Sequence, residues 1–355
     1  MASQEGHIDI VKLLLERNPH IDLRDKDGWS PLYIASQEGH TDIVKLLLDR
    51  NPNIELCDYN GCSPMDKAIK LLLEKNPNID LCQRNGCSPL YIASRNGNTE
   101  IVKLLLEKNA NIDLCKTNGC SPLYIACKNG NTDVVTLLLE KNPNVDLCQI
   151  NGYSPLYIAS YNGSTDIVKL LLEKNPNVDL CQNNGCSPLY IASQNGNTDV
   201  VQLLLEKNPN IDLCQKDGCS PLYIASQNGN ADIVRLLLEK NPNIDLCQKD
   251  GCSPLSIASQ NGNTDVVKLL LERNPNIDLC RIDGCSPLYM ASQEGHIDIV
   301  KLLLERNPNI DLCDKDGWSP LYIASQEGHT DIVKLLLERN PNIDLCQNNL
   351  ICRKQ

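Results

Sequence analysis

The sequence predicts an all-α repeat solenoid, in which helix-turn-helix pairs stack on one another and β-hairpin-like loops join successive pairs. Glycine recurs in two interleaved series with a 33-residue period, and every proline falls into one of two dipeptides that share that period. The absence of phenylalanine, with only two tryptophans in 355 residues, argues against one large globular core and makes the interior aliphatic.

The first glycine series runs Gly28, Gly61, Gly86, Gly119 and onward to Gly317, the second Gly6, Gly39, Gly97 and onward to Gly328; together they use all 20 glycines. The first series steps by 33 throughout except between Gly61 and Gly86, where the step is 25. Ten prolines stand in Ser-Pro pairs such as Ser220-Pro221 and ten in Asn-Pro pairs such as Asn208-Pro209.

The unit from Gly218 to Asp250 shows what this punctuation encloses. Ser220 suits a helix N-cap and Pro221 the first helical turn, so a short helix is expected from Pro221 to about Asn228. Gly229 breaks it. A second helix follows from Asp232 to Lys240, acidic at its start and basic at its end as the helix dipole favours. Asn241 tolerates the left-handed conformation at the helix end and Pro242 prevents continuation. Asn243 to Leu246 is then expected to run extended into a Gln-Lys-Asp-Gly turn. Helices this short are below the roughly 12 to 15 residues needed for marginal stability alone, so packing between repeats must hold them.

The period divides the chain into a truncated first repeat over residues 1–27, a repeat at 28–60, a shortened repeat at 61–85 lacking eight residues, eight full repeats over 86–349, and a tail at 350–355. In the shortened repeat Ser63 to Lys70 runs into Leu71-Leu72-Leu73 with no turn glycine, which predicts two helices fused into one. Met1 to Pro19 matches Met290 to Pro308 residue for residue, so the chain is expected to begin inside a helix, at an internal methionine of a longer protein. Neither terminal repeat carries the polar outer face of a cap.

A net charge of −12 and a pI near 4.9 argue against a nucleic-acid-binding surface or attraction to anionic lipid. Apolar runs such as Leu13-Leu14-Leu15 are too short to span a bilayer, and no basic leader precedes an apolar stretch, so a cytoplasmic protein without membrane insertion is expected, with the nucleus as the alternative. The 19 cysteines therefore read as reduced thiols rather than a secreted disulfide scaffold. Cys352-Arg353-Lys354-Gln355 has the outline of a prenylation box but places charges where aliphatic residues belong.

The run Ser220-Pro221-Leu222-Tyr223-Ile224-Ala225, followed by Gly229 and Ile233-Val234-Arg235-Leu236-Leu237-Leu238, resembles the ankyrin repeat, and the resemblance covers nearly the whole chain. The family's Thr-Pro-Leu-His reads Ser-Pro-Leu-Tyr here, which removes a hydroxyl-imidazole hydrogen bond, and Asn241 stands where the family has glycine. The resemblance implies an ankyrin-type solenoid whose hairpin tips and exposed first-helix sides line a concave groove for partner proteins. A tetratricopeptide array lacks this grammar.

No catalytic apparatus emerges. Four of five histidines, His7, His40, His296 and His329, follow the turn glycine, where the ankyrin resemblance implies a structural role. Asp25-Lys26-Asp27-Gly28 resembles the middle of a calcium loop, but Leu23 and Ile34 occupy carboxylate positions. No phosphate loop or zinc-protease motif is present. Seven cysteine pairs with a spacing of five, such as Cys214/Cys219, flank hairpin turns. They read as small structural thiols, with a zinc or redox ladder as the alternative, and no metal or cofactor is expected.

On the groove that the resemblance implies, most positions are monotonous. Trp29 and Trp318 replace a hairpin cysteine, and Ile150, Tyr153 and Tyr161 replace polar or thiol residues within one repeat. These five are the candidate partner-binding residues, since large aromatics on an exposed groove make anchors. The expected function is a non-enzymatic, monomeric scaffold or adaptor for other proteins; the alternative is the recognition segment of a larger signalling, channel or enzyme protein.

Overall fold

The computed structural model describes residues 1–26, 28–38, 40–50, 52, 80 and 86–344. The shortened repeat at 61–85, its expected fused helix and the tail at 350–355 lie outside the described residues. Two compact units are distinguished, Met1–Pro176 and Asn177–Gln355.

The first unit contains α1 (Ile8–Glu16), α2 (Pro31–Gln37), α3 (Thr41–Leu48), α4 (Pro89–Asn96), α5 (Thr99–Glu107), α6 (Pro122–Asn129), α7 (Thr132–Glu140), α8 (Pro155–Asn162) and α9 (Thr165–Leu172). The second contains α10 (Pro188–Asn195), α11 (Thr198–Leu205), α12 (Pro221–Gln227), α13 (Ala231–Glu239), α14 (Pro254–Gln260), α15 (Thr264–Leu271), α16 (Pro287–Gln293), α17 (Ile297–Leu304), α18 (Pro320–Gln326) and α19 (Thr330–Leu337). Within each unit a first helix packs on its own second helix and on neighbouring first helices, while second helices form a parallel layer. No strand occurs among the described residues; the hairpin-like loops are tight turns closed by one cross-bond, Gln248 N–H to the Cys252 carbonyl at 3.1 Å in one repeat.

The local chemistry is as the dipeptides predict. The Ser220 hydroxyl accepts the Tyr223 N–H at 3.1 Å, capping α12 with Pro221 in its first turn. Among the described residues, each asparagine that ends a second helix is left-handed, with φ from 46° to 61°, as Asn241 is at 54°. The interior second helices bury an aliphatic face, four residues in α13 (Ile233, Val234, Leu237 and Leu238) and three in α5 (Val102, Leu105 and Leu106). At the ends of the array the same faces are open: Ile10 is 49% exposed where its counterpart Ile299 is 0% exposed.

Two expectations require correction. Asn243 to Leu246 does not run extended. It forms a turn closed by Leu246 N–H on the Asn243 carbonyl at 3.2 Å, because the Asn243 side chain accepts the Asp245 N–H at 3.3 Å. The turn then reaches its neighbour: Asp212 accepts the Asn243 N–H at 3.1 and 3.0 Å, and Asp245 accepts that of Asn276 in the same way. The second correction concerns the start of the chain. Residues 2–6 are a turn, not the end of a helix, since they lack the Ser-Pro pair that starts the matching helix α16.

Candidate functional site

The surface that the sequence singles out is built from two rows, the hairpin tips and the exposed ends of the first helices, and hydrogen bonds between neighbouring repeats fix both rows in register. In the first unit the Asn129 amide donates to the Arg95 carbonyl at 2.7 Å and the Asn162 amide to that of Lys128 at 2.9 Å. Residues 95, 128 and 161 are thereby held at the same place in three successive repeats. A second clamp comes from an asparagine after the turn glycine: Asn131 donates to the Ser94 carbonyl at 2.8 Å and Asn263 to those of Ser226 and Gln227 at 2.8 and 3.0 Å. Histidine does the same work, with Nε2 of His296 and His329 each 3.0 Å from the Gln260 and Gln293 carbonyls. The tips are linked through backbone: Ile150 N–H donates to the Asn118 carbonyl at 2.9 Å, and Ile282 N–H to that of Asp250 at 2.7 Å.

Ile150 stands at a hairpin tip, 67% exposed, and Tyr161 at the end of α8, 50% exposed. Tyr153 is half buried instead: its ring lies 5.1 Å from that of Tyr157, and it packs against the cluster of Cys120, Tyr124 and Ile125. The tryptophans, also half buried, repeat this arrangement, Trp318 at 5.1 Å from Tyr322 and Trp29 at 6.0 Å from Tyr33. Trp29 further borders a cavity of about 480 Å³ lined by Leu14, Leu15, Ile34 and Leu47. The structure thus separates the five candidates into two exposed residues and three aromatics that lean on the tyrosine four residues later.

Sequence reasoning missed Ile282, a tip residue 61% exposed in the second unit. It lies 132 residues, four periods, after Ile150, so the same register comparison that selected Ile150 was available for it.

The paired cysteines have unequal surroundings. In the five pairs described throughout, the first cysteine donates its thiol to the carbonyl two residues earlier, as Cys214 does to Asp212 at 3.4 Å. The second joins a stripe with the Ser-Pro-Leu-Tyr tyrosines, Tyr190, Cys219, Tyr223 and Cys252 in the second unit. Burial pushes Tyr91 and Tyr124 up to about 12 and the Cys252 thiol up to about 11, so these groups are neutral at physiological pH. The fourteen described cysteines are free thiols, and among the described residues no group of three or more His, Cys, Asp or Glu side chains is arranged to hold a metal. No described helix is long and apolar enough to cross a membrane.

A family model described as "Ankyrin repeats (3 copies)" matches residues 1–71, 60–149, 142–217, 207–279 and 273–349. Among solved structures, the crystal structure of the human ASB11 ankyrin repeat domain is similar at 29% identity and a TM-score of 0.54, with 62% of this chain and 98% of that one covered. No curated protein matches the chain.

Proposed function

The chain belongs to the ankyrin-repeat family, and from that premise we propose that it is a non-enzymatic, monomeric cytoplasmic scaffold holding other proteins along its hairpin tips and first-helix ends. One observation carries the reading: Ile150 and Tyr161, on one hairpin and the first helix that follows it, project large apolar side chains into solvent where the matching positions one period later are Asn183 and Gln194. Exposed aromatic and aliphatic groups on a rigid surface are the usual anchors of an interface. Tyr153, Trp29 and Trp318 offer the exposed parts of their rings as further contacts, each at its own repeat.

The test uses the substitutions that nature makes one repeat later. A partner captured on the full chain is identified and purified, and its affinity is measured for wild type and for the Ile150→Asn, Tyr161→Gln double variant. Truncating anchors weakens binding by ~2 kcal/mol, about thirtyfold, while exposed substitutions move stability by less than ~0.5 kcal/mol. Unchanged affinity with an intact thermal transition refutes the assignment.

A further inference from the structure

The first-helix-end register differs between the two units. In the second it is glutamine throughout: Gln194, Gln227, Gln260, Gln293 and Gln326. In the first, glutamine stands only at Gln4 and Gln37, and three successive repeats then carry Arg95, Lys128 and Tyr161, all exposed. The hairpin between the two cations adds Lys116, and the next hairpin carries Ile150 at its tip.

Charge pairing differs in the same way. In the second unit, tip cations sit against tip carboxylates: Lys249 lies 3.9 Å from Asp217, and Arg281 lies 3.8 Å from Asp250 and 3.2 Å from Asp283. No described carboxylate pairs with Arg95, Lys116 or Lys128. Burial raises the Cys120 thiol, while its hydrogen bond with Asn118 and the charges of Lys116 and Lys128 pull it back. A local cationic row on a chain of net charge −12 is unusual, and nothing in its packing requires it.

We propose that the first unit carries a binding site for an extended acidic segment of another protein, with Arg95, Lys116 and Lys128 taking carboxylates and Tyr161 with Ile150 taking an apolar side chain beyond them. The proposal rests on the scaffold reading above and names its ligand chemistry. Register sets the spacing. Stacked helices lie about 8 to 10 Å apart, and an extended chain advances about 3.3 Å per residue, so one repeat corresponds to three residues of ligand. The matching ligand has two acidic residues three apart and an aliphatic or aromatic residue three further on.

The probe is a fluorescein-labelled Gly/Ser peptide with glutamate at two positions three apart and leucine three beyond the second, measured by anisotropy against the full chain, beside a scrambled peptide of equal composition. The ordered peptide binds more tightly than the scrambled one, and added salt weakens it. Arg95→Glu with Lys128→Glu lowers its affinity at least about tenfold and transfers preference to the same peptide with lysines for glutamates, while the thermal transition is retained. Three results overturn the proposal: ordered and scrambled peptides that bind alike or not at all, a charge-reversed variant that binds the acidic peptide as well as wild type, or a single-stranded RNA of similar length that binds more tightly than the peptide. If the peptide fails while an identified partner still loses affinity on Ile150→Asn with Tyr161→Gln, the acidic site is wrong and the scaffold stands.

Discussion

The turn glycines offer a test of how one repeat grips the next. Gly262 and Gly130 have nearly the same backbone, φ of 75° and 74°, so an added methyl group costs each the same left-handed strain. That strain is about 1 kcal/mol after allowing for the stiffer unfolded chain. They differ in what lies above them. A Cβ at Gly262 would stand 2.7 Å from Cε1 of His296, whereas one at Gly130 meets nothing within 4 Å, since the clamp position there holds the short Ser164. Gly262→Ala must push the His296 ring aside and break its 3.0 Å bond to the Gln260 carbonyl, adding about 1 to 2 kcal/mol. Urea unfolding should therefore show losses of about 1 kcal/mol for Gly130→Ala and about 2 to 3 kcal/mol for Gly262→Ala, with equal slopes to confirm that the midpoints are comparable. In a His296→Ser background the excess at position 262 should vanish. Equal losses for the two alanines, or an excess that survives His296→Ser, would show that the glycines serve their own turns only.

Further outcomes follow from the same contacts. Asn263→Ala removes two bonds to the end of α12 and should cost about 1 to 2 kcal/mol, while Asn263→His should recover most of it, because His296 and His329 already play that part; a histidine no better than alanine refutes the equivalence. Ser220→Ala loses a helix cap and about 1 kcal/mol, but Ser226→Ala, whose buried hydroxyl has no partner, should be neutral or stabilising in the same urea assay. Burial raises the Cys252 thiol from 9.0 to about 11 in the folded state, so its contribution is complete below pH 9 and falls as pH rises toward 11; Cys252→Ala should flatten that part of the stability-pH curve relative to wild type.

Much of the fold was legible because its signals are local. Ser-Pro marks a cap and a first turn, Asn-Pro a left-handed stop, and a Leu-rich face a buried one, and each is decided within four residues of chain. What sequence reasoning lost lies between repeats. The Asn-Ile-Asp-Leu run reads as extended from composition, yet the Asp212 carboxylate waiting for the Asn243 N–H is 31 residues away. The turn glycines read as helix breakers, and their second role as floor for the next repeat's asparagine or histidine needs the stacking to be seen. Of the candidate site, exposure was legible for Ile150 and Tyr161 as departures from a polar register. It was not for Tyr153 and Trp318, because an aromatic in a cysteine's place covers the tyrosine four residues later before it reaches solvent.

That distinction also explains where an array so uniform is free to vary. At the clamp position the side chain itself makes the contact, as Asn131, Asn263 and His296 do, and the short Ser164 leaves Gly130 uncovered. At the first-helix end, the neighbouring repeat takes only the backbone carbonyl, as Asn129 takes that of Arg95 and Asn162 that of Lys128. Any residue supplies a carbonyl, so arginine, lysine, tyrosine and glutamine are equivalent to the fold. At the hairpin tip the neighbour takes only an N–H, and isoleucine at 150 and 282 stands where lysine stands at 216 and 249, each donating to the preceding tip. Folding leaves these two rows of side chains undetermined, so a recurring stack can change its surface chemistry there at little cost in stability. A departure from the repeat at a clamp position changes packing, whereas one at a first-helix end or a tip, as at Arg95, Lys128, Ile150 and Tyr161, changes the surface alone.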